Sequence, residues 1–219
     1  MIDPLGIQQL FPKTVVCTSL KICDQTMYLF PQEEIGVRHA VEQRRFEFAT
    51  GRVCARMALK ELGFDQTILP QKLDGTPLWP EQIVGSITHN HVWCAAAVAP
   101  SRVTRGIGID LETIERMSPC VARKIITDEE ASLIKNVSIR DKQTMLCLIF
   151  SAKESVYKCL YSVYGKHIGF QDIVIMPLHT GATFNIKIKK ECMEHDVLLS
   201  GTYIIRDGIV ATGIVFPPI

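Results

Sequence analysis

Asp110 and Glu112 alternate with Ile107, Ile109 and Leu111 along the stretch Arg105–Glu112, which is the period of a β-strand. Both carboxylates therefore leave the same face, roughly 7 Å apart along the chain. Gly108 shares that face and is expected to leave open space beside them. Two acids flanking an opening suit a hard divalent cation that also carries a ligand phosphate. An edge strand with a solvated polar face presents the same short pattern. Further on, Glu154, Lys158 and Tyr161 share one helical face at i, i+4 and i+7, while Ala152, Val156, Cys159 and Val163 form the buried face. A surface ion pair of Glu154 with Lys158 is one explanation of that face. A capping box at Ser151-x-x-Glu154 is another, although the helical pattern already runs upstream of Ser151. A third set is cationic. Arg45, Arg52 and Arg56 lie within about 40° on a helical wheel, with Lys60 about 40° further on. Such a stripe is either solvated or reads phosphate, whose oxygens match the arginine fork. His89-x-His91 lacks a Cys or acid at zinc-ligand spacing, so a polar loop contact is the simpler reading.

These side chains need elements to hold them. The arginines fall on a helical pattern from Val37 to Leu62 that stops at Gly63, with Gly51 inside it as a kink or a close approach. Leu73–Pro80 is turn chemistry: an Asp-Gly pair, then two prolines around a tryptophan. Val84–Thr88 and Val92–Ala99 read as strands joined across His89 and His91. Thr127-Asp-Glu-Glu130 is a capping box opening a helix to about Lys135. A second long helix runs from Asp141 to Tyr164 and ends at Gly165. The tail reads as strands at 168–176, 182–188, 202–205 and 210–215, the last two joined by an Asp207-Gly208 turn. A hairpin is expected at the start, with Thr14–Leu20 and Thr26–Phe30 around Asp24-Gln25. The architecture expected is α+β in two similar lobes, residues 1–104 and 105–219, arranged about a pseudo-twofold. Each lobe has an antiparallel sheet and a long helix, with the site in the cleft between them. No repeat is visible in the sequence itself.

Composition narrows the function. The chain has 219 residues, 47% hydrophobic content and a net charge of +1, so nothing in the overall balance favours nucleic acid or an anionic membrane. The eight cysteines form no C-x-x-C and several sit in apolar runs, as in a reduced cytoplasmic protein. Residues 1–4 begin no signal peptide, and no apolar run reaches the ~18 residues of a membrane span.

Six stretches, in this order, resemble the 4′-phosphopantetheinyl transferases of the two-lobed, surfactin-synthetase type, and within them the enterobactin synthase component D group. They are Arg44-Arg45 through Phe48, Gly51-Arg52, Gly75-x-Pro77-x-Trp79-Pro80, Gly85-Ser-Ile-Thr88-His89, Gly108-Ile-Asp110-x-Glu112 and Ser151-Ala-Lys153-Glu154. The resemblance spans about Arg44 to Tyr161. It implies transfer of phosphopantetheine from coenzyme A to a serine of a carrier protein, with release of 3′,5′-ADP. The nucleophile then belongs to the partner, which fits the lack of a nucleophile elbow here. The resemblance makes Asp110, Glu112 and Glu154 an acidic triad around Mg²⁺ and the pyrophosphate. Lys153 and Lys158 would offset the excess negative charge and meet the pyrophosphate, and Glu154 or Glu112 would take the serine proton. Arg45 and Arg52 are implied at the nucleotide, Thr88 and His89 at the 3′-phosphate, and Gly75 and Pro77 at the adenine. Thr76 stands where some relatives carry lysine, so a phosphate contact is either missing or supplied by Arg56 or Lys72.

The resemblance implies an acyl, aryl or peptidyl carrier, with siderophore or other non-ribosomal synthesis suggested by the enterobactin group. One chain supplies both walls of the cleft, so a monomer is expected. Two other readings stand beside the transferase: a coenzyme A-binding module without chemistry, and a metal-dependent phosphodiesterase using the same acids. Against the last stand the near-neutral charge and the lack of a basic, aromatic nucleic-acid surface. Thr113–Ile126 leaves the acid pair carrying Ile114, Met117, Val121, Ala122, Ile125 and Ile126 among Arg116, Arg123 and Lys124. That face either packs onto the second lobe or stays exposed to dock the carrier, with Met117 at its centre.

Overall fold

A computed structural model describes residues 2–117, 124–135, 137–178, 181–189 and 199–218. The elements run β1 (Val16–Lys21), α1 (Pro31–Glu34), α2 (Glu42–Glu61), β2 (Ile83–His89), β3 (Trp93–Pro100), β4 (Gly106–Thr113), α3 (Asp128–Leu133), α4 (Ile139–Tyr164), β5 (Ile173–Pro177), β6 (Thr183–Ile188), β7 (Leu199–Arg206) and β8 (Ile209–Phe216). The fold is α+β. One antiparallel sheet has the order β1-β3-β2, the other β4-β8-β7-β6-β5. A long helix covers each: α2 on the first and α4 on the second.

The central strand β3 is Trp-Cys-Ala-Ala-Ala-Val-Ala-Pro, buried on both faces. Its small side chains let two layers come close. Cys94, Ala96 and Val98 pack under Cys54, Ala55, Ala58 and Leu59 of α2. Ala95, Ala97 and Ala99 meet Ile107, Ile109 and Leu111 of β4 on the other side. The two sheets therefore share a core, which Ile7, Leu10 and Phe11 close. Truncating Ile109 there to alanine would cost about 2–5 kcal/mol.

β4 alternates as its sequence suggests, but its glycine face is not open. A Cβ on Gly108 would lie 1.8 Å from the Ser155 carbonyl oxygen of α4, and one on Gly106 2.9 Å from that of Cys159. The glycines admit a helix backbone onto the strand, which corrects the expectation of empty space beside the acids. The hydroxyls of Ser151 and Ser155 then bond Thr212 of β8 at 3.0 and 2.7 Å. The register pairs Asp110 with Thr212. This packing brings the helix that carries Glu154 and Lys158 alongside Asp110 and Glu112.

Both long helices end as expected, at Gly63 (φ 86°) and Gly165 (φ 64°), and Thr127 with Glu130 forms the capping box of α3. The N-terminal hairpin is absent. β1 pairs instead with β3, and Thr26–Tyr28 is a single 3-10 turn held by Asp24. Helix α2 begins at Glu42, later than its periodicity suggests.

Candidate active site

At the junction of the sheets, β2 lies beside β4. The Ile109 N–H donates to Ser86 Oγ (3.3 Å), and Thr88 Oγ1 donates to Asp110 Oδ1 (3.1 Å). Lys158 reaches the same carboxylate oxygen at 2.6 Å and also donates to Thr88 Oγ1 and the Ile109 carbonyl, each at 3.2 Å. Asp110 is 4% exposed. Its second oxygen, Oδ2, is buried without a hydrogen-bond partner. An unsatisfied carboxylate oxygen is costly, and a native fold keeps one where a ligand completes it.

The neighbouring acids feel this charge. Glu112 is pushed up to about 8, first by burial and then by Asp110, with Glu154 adding to the effect and Lys158 and Arg116 opposing it. Burial also raises Glu154, with Lys158 opposing and Asp110 adding. Two acids pushed up by burial beside the Asp110 charge call for a cation. Among the described residues no group of three His, Cys, Asp or Glu side chains is placed to hold a metal ion, so Asp110, Glu112 and Glu154 do not converge into the three-carboxylate site expected of them. The open set fits Mg²⁺, which takes one or two carboxylates and completes its shell with water and phosphate oxygens. Asp110 Oδ2 is the atom that fits it best.

From Asp110 and Lys158 a cavity of about 240 Å³ runs along α2 to the turn at Gly75 and Pro77. Arg44, Glu47, Arg52, Thr88 and His89 line it. Arg44 Nη1 donates to His89 Nε2 at 2.8 Å. That nitrogen must therefore accept, and the ring proton sits on Nδ1, 3.7 Å from Glu47. Burial holds His89 below the usual imidazole range, with Glu47 opposing and the Arg44 and Lys158 charges adding. Arg52 stacks on the Phe48 ring at 4.1 Å and donates to the Leu69 carbonyl at 2.7 Å. Burial lowers its guanidinium to about 10. Gly51 lets α2 close on β2, because a Cβ there would meet Ile87 at 3.0 Å.

Thus Arg52, Gly75, Pro77, Thr88, His89, Asp110 and Lys158 come together around one cavity, with Glu112 and Glu154 electrostatically coupled to it. Four expectations need correction. Arg45 is outside the cavity wall. Its charge acts on Asp24, whose carboxyl is held low by Thr26 and secondarily by Arg45. Arg44 takes the place expected of it, one position earlier on the helix. Arg56 is not available for phosphate, since it pairs with the buried Glu33 at 2.7 Å and donates to the Tyr28 carbonyl. Lys153 does not face the cavity. It is 0% exposed and its ammonium donates to Glu130 Oε2, Ile125 O and Phe170 O at 2.7, 2.7 and 2.8 Å. With no exposed surface and all three donors spent in the core, it cannot reach a pyrophosphate, whereas Lys158 is 26% exposed at the cavity wall. Met117, expected at the centre of a docking face, is 8% exposed and packs on Cys147, Leu148 and Val210. Val121, Ala122 and Arg123 lie outside the described residues. Glu47 was missed, although Arg44, Glu47 and Gly51 recur at helical spacing and so mark the face that lines the cavity.

A larger cavity, about 480 Å³, opens between Trp93 and Ile204 on the opposite face of β4. It is lined by neither Asp110 nor Lys158 and holds none of this chemistry.

Residues 31–99 match the 4′-phosphopantetheinyl transferase N-terminal domain, and residues 106–206 the 4′-phosphopantetheinyl transferase superfamily. The chain is 34% identical over 166 residues to the 4′-phosphopantetheinyl transferase Svp of Streptomyces mobaraensis, covering 75% of this chain and 68% of that protein. It is 30% identical over 223 residues to Npt of Nocardia iowensis, covering 96% and 99%. With enterobactin synthase component D of Salmonella typhimurium it shares 36% over 124 residues, covering 56% and 50%. Among solved structures, the Helicobacter pylori holo-[acyl-carrier-protein] synthase in complex with coenzyme A overlaps 50% of this chain and 97% of its own, at 27% identity and a TM-score of 0.41. The chain belongs to the 4′-phosphopantetheinyl transferase superfamily and is an enzyme of that class.

Proposed function

We propose that this enzyme transfers the 4′-phosphopantetheine group of coenzyme A to a serine hydroxyl of an apo carrier protein, in the presence of Mg²⁺, and releases 3′,5′-ADP. The observation that carries the reading is the buried, unpaired Oδ2 of Asp110 at the end of a cation-lined cavity. Residues 1–104 supply the nucleotide end. Gly75 and Pro77 receive the adenine, Arg44 and His89 the 3′-phosphate, and Arg52 and Thr88 complete that wall. Residues 105–219 supply the reacting end. Lys158, fixed by Asp110 and Thr88, meets the pyrophosphate.

The serine oxygen attacks the β-phosphorus, and the bond from that phosphorus to the bridging oxygen of the departing nucleotide breaks. The serine proton passes to Glu154 or Glu112, whose proton affinities burial has raised. Asp110, with whichever of Glu112 and Glu154 does not take the proton, would hold Mg²⁺, which would supply charge that holds the pyrophosphate oxygens and offsets negative charge on the leaving nucleotide. Phosphoryl transfer asks the protein mainly for position and charge.

Aryl or peptidyl carriers of siderophore or other non-ribosomal synthesis are the partners we favour. Carriers of this kind are commonly acidic beside the acceptor serine. Arg116, whose charge acts on Glu112, and Lys124 are both exposed, so encounter is steered by charge. Buried free thiols at Cys54, Cys147 and Cys159, each pushed up to about 12 by burial, suit a reducing cytoplasm. No helix among the described residues is long and apolar enough to cross a membrane. One chain walls the whole cavity, so we expect a monomer.

The test is to incubate enzyme, coenzyme A and Mg²⁺ with apo aryl, peptidyl and acyl carrier domains and weigh each carrier. Gain of one phosphopantetheine supports the reading. Bound coenzyme with every carrier unchanged points to a binding module instead.

A further inference from the structure

Lys153 adjoins Glu154 in sequence but faces the interior. Its ammonium bridges three separate segments: Ile125 O after β4, Glu130 of α3 and Phe170 O of the turn before β5. From that same turn, Gln171 Nε2 donates to Lys124 O (3.1 Å) and Ile126 O (3.0 Å). Three successive carbonyls, of residues 124, 125 and 126, are therefore held by two side chains distant in sequence. Lys124 and Ile125 are helical and the chain straightens after them. Carbonyls at such an end lack helical donors and need others. Glu130 locks the arrangement: Oε2 accepts from Thr127 N and from Lys153, and Oε1 from Ile175 N.

The clamp grips main chain and leaves a charged side chain free. Ile125 is buried, Ile126 packs on the core, and Lys124 is exposed. We propose that Lys153 and Gln171 are positioning residues that fix residues 124–126, and with them the exposed Lys124 that meets an acidic carrier. The proposal rests on the transfer reading above. Neither residue lines the nucleotide cavity, so the clamp governs the carrier's KM and leaves coenzyme affinity alone.

Gln171 is exposed, so its near-isosteric variant Gln171→Met keeps the fold while removing both donors. We expect the carrier's KM to rise about threefold to tenfold, with coenzyme A Kd and melting temperature as in the wild type. Lys153→Met, assayed well below its own melting temperature and normalised to folded protein, should raise that KM roughly tenfold or more, again at unchanged coenzyme Kd. An unaltered carrier KM in Gln171→Met overturns the proposal. So does a rise in coenzyme Kd matching the rise in KM, which would return these side chains to the nucleotide. Should wild-type enzyme modify no carrier, the transfer reading falls and amide exchange decides the clamp. Exchange at residues 124–127 must quicken in Gln171→Met, and unchanged exchange there refutes it.

Discussion

Helix α4 carries two lysine–carboxylate pairs five residues apart, and they are built to opposite ends. Lys153 and Glu130 meet at 2.7 Å with both side chains 0% exposed. Every acceptor of Glu130 is in use, by Thr127, Lys153 and Ile175. Lys158 and Asp110 meet at 2.6 Å at the wall of a cavity, with Lys158 26% exposed, and Asp110 keeps one buried oxygen unpaired. Around the first pair no further charge is needed. Around the second, Glu112 and Glu154 are pushed toward their protonated forms. A satisfied pair holds segments together, and an unsatisfied one waits for a ligand. The chemistry lies where the polar accounting fails to close.

Removing the unsatisfied member should give the largest effect. Asp110→Ala is expected to lower transfer on the order of a thousandfold, the scale for losing a preorganised electrostatic group. Lys158 can then hydrate through the cavity, so the melting temperature should change little; a scanning calorimeter and the carrier-mass assay check the two halves. Glu130→Leu attacks the satisfied pair and should behave in reverse. It strands a buried ammonium, which costs about 3–5 kcal/mol. At about 2–4 °C per kcal/mol for a chain of this size, the melting temperature should fall steeply, while coenzyme A affinity of the folded protein stays put. Equal stability of Glu130→Leu and wild type would erase the contrast.

Much of the site was legible in the sequence because its residue types are demanded by chemistry at fixed spacing. Asp110-x-Glu112 on a strand and Glu154 with Lys158 at i, i+4 survive any small error in boundaries. What the sequence left open was what each face meets. Gly108 has the alternation of an open position, but only the packed fold puts the Ser155 carbonyl against it. Arg44 and Arg45 differ by about 100° on the helix, and the choice between them is made by how α2 seats Phe48 and Gly51. Lys153 sits in a cationic motif, and nothing local reveals that Glu130 closes over it. Arg56 was hidden in the same way by Glu33, and Met117 by Leu148 and Val210. The expected N-terminal hairpin failed because β3, rich in alanine and buried on both faces, offers β1 a better edge than residues 26–30 can.

The nucleotide end sharpens the comparison at smaller scale. His89→Ala and Arg44→Ala should each weaken coenzyme A binding by about 1.5–3 kcal/mol, as for hydrogen bonds to a charged group. Against dephospho-coenzyme A the difference from wild type should shrink. Titration calorimetry with both ligands checks this, and equal losses would move these side chains away from the 3′-phosphate.

The last effect concerns pH. The folded-state pKa of Glu112, about 8, lies above its unfolded value. Stability from this group is therefore complete below the unfolded pKa and is lost as pH rises through 8. The unliganded enzyme should melt progressively lower from about pH 5 to pH 8. Glu112→Gln should flatten that slope and melt higher at pH 8, by about 2–4 °C for each kcal/mol recovered. An unchanged slope would mean that Glu112 ionises freely in the folded state.

The most direct test sets the two lysines side by side. Lys153→Met and Lys158→Met remove the same charge from the same helix, and each variant is assayed for melting temperature, coenzyme A affinity and carrier modification. The account predicts that Lys158→Met keeps its melting temperature close to wild type and loses coenzyme affinity and turnover. Lys153→Met should melt markedly lower and bind coenzyme A as wild type does. A Lys153→Met enzyme with normal melting and weakened coenzyme binding would contradict it.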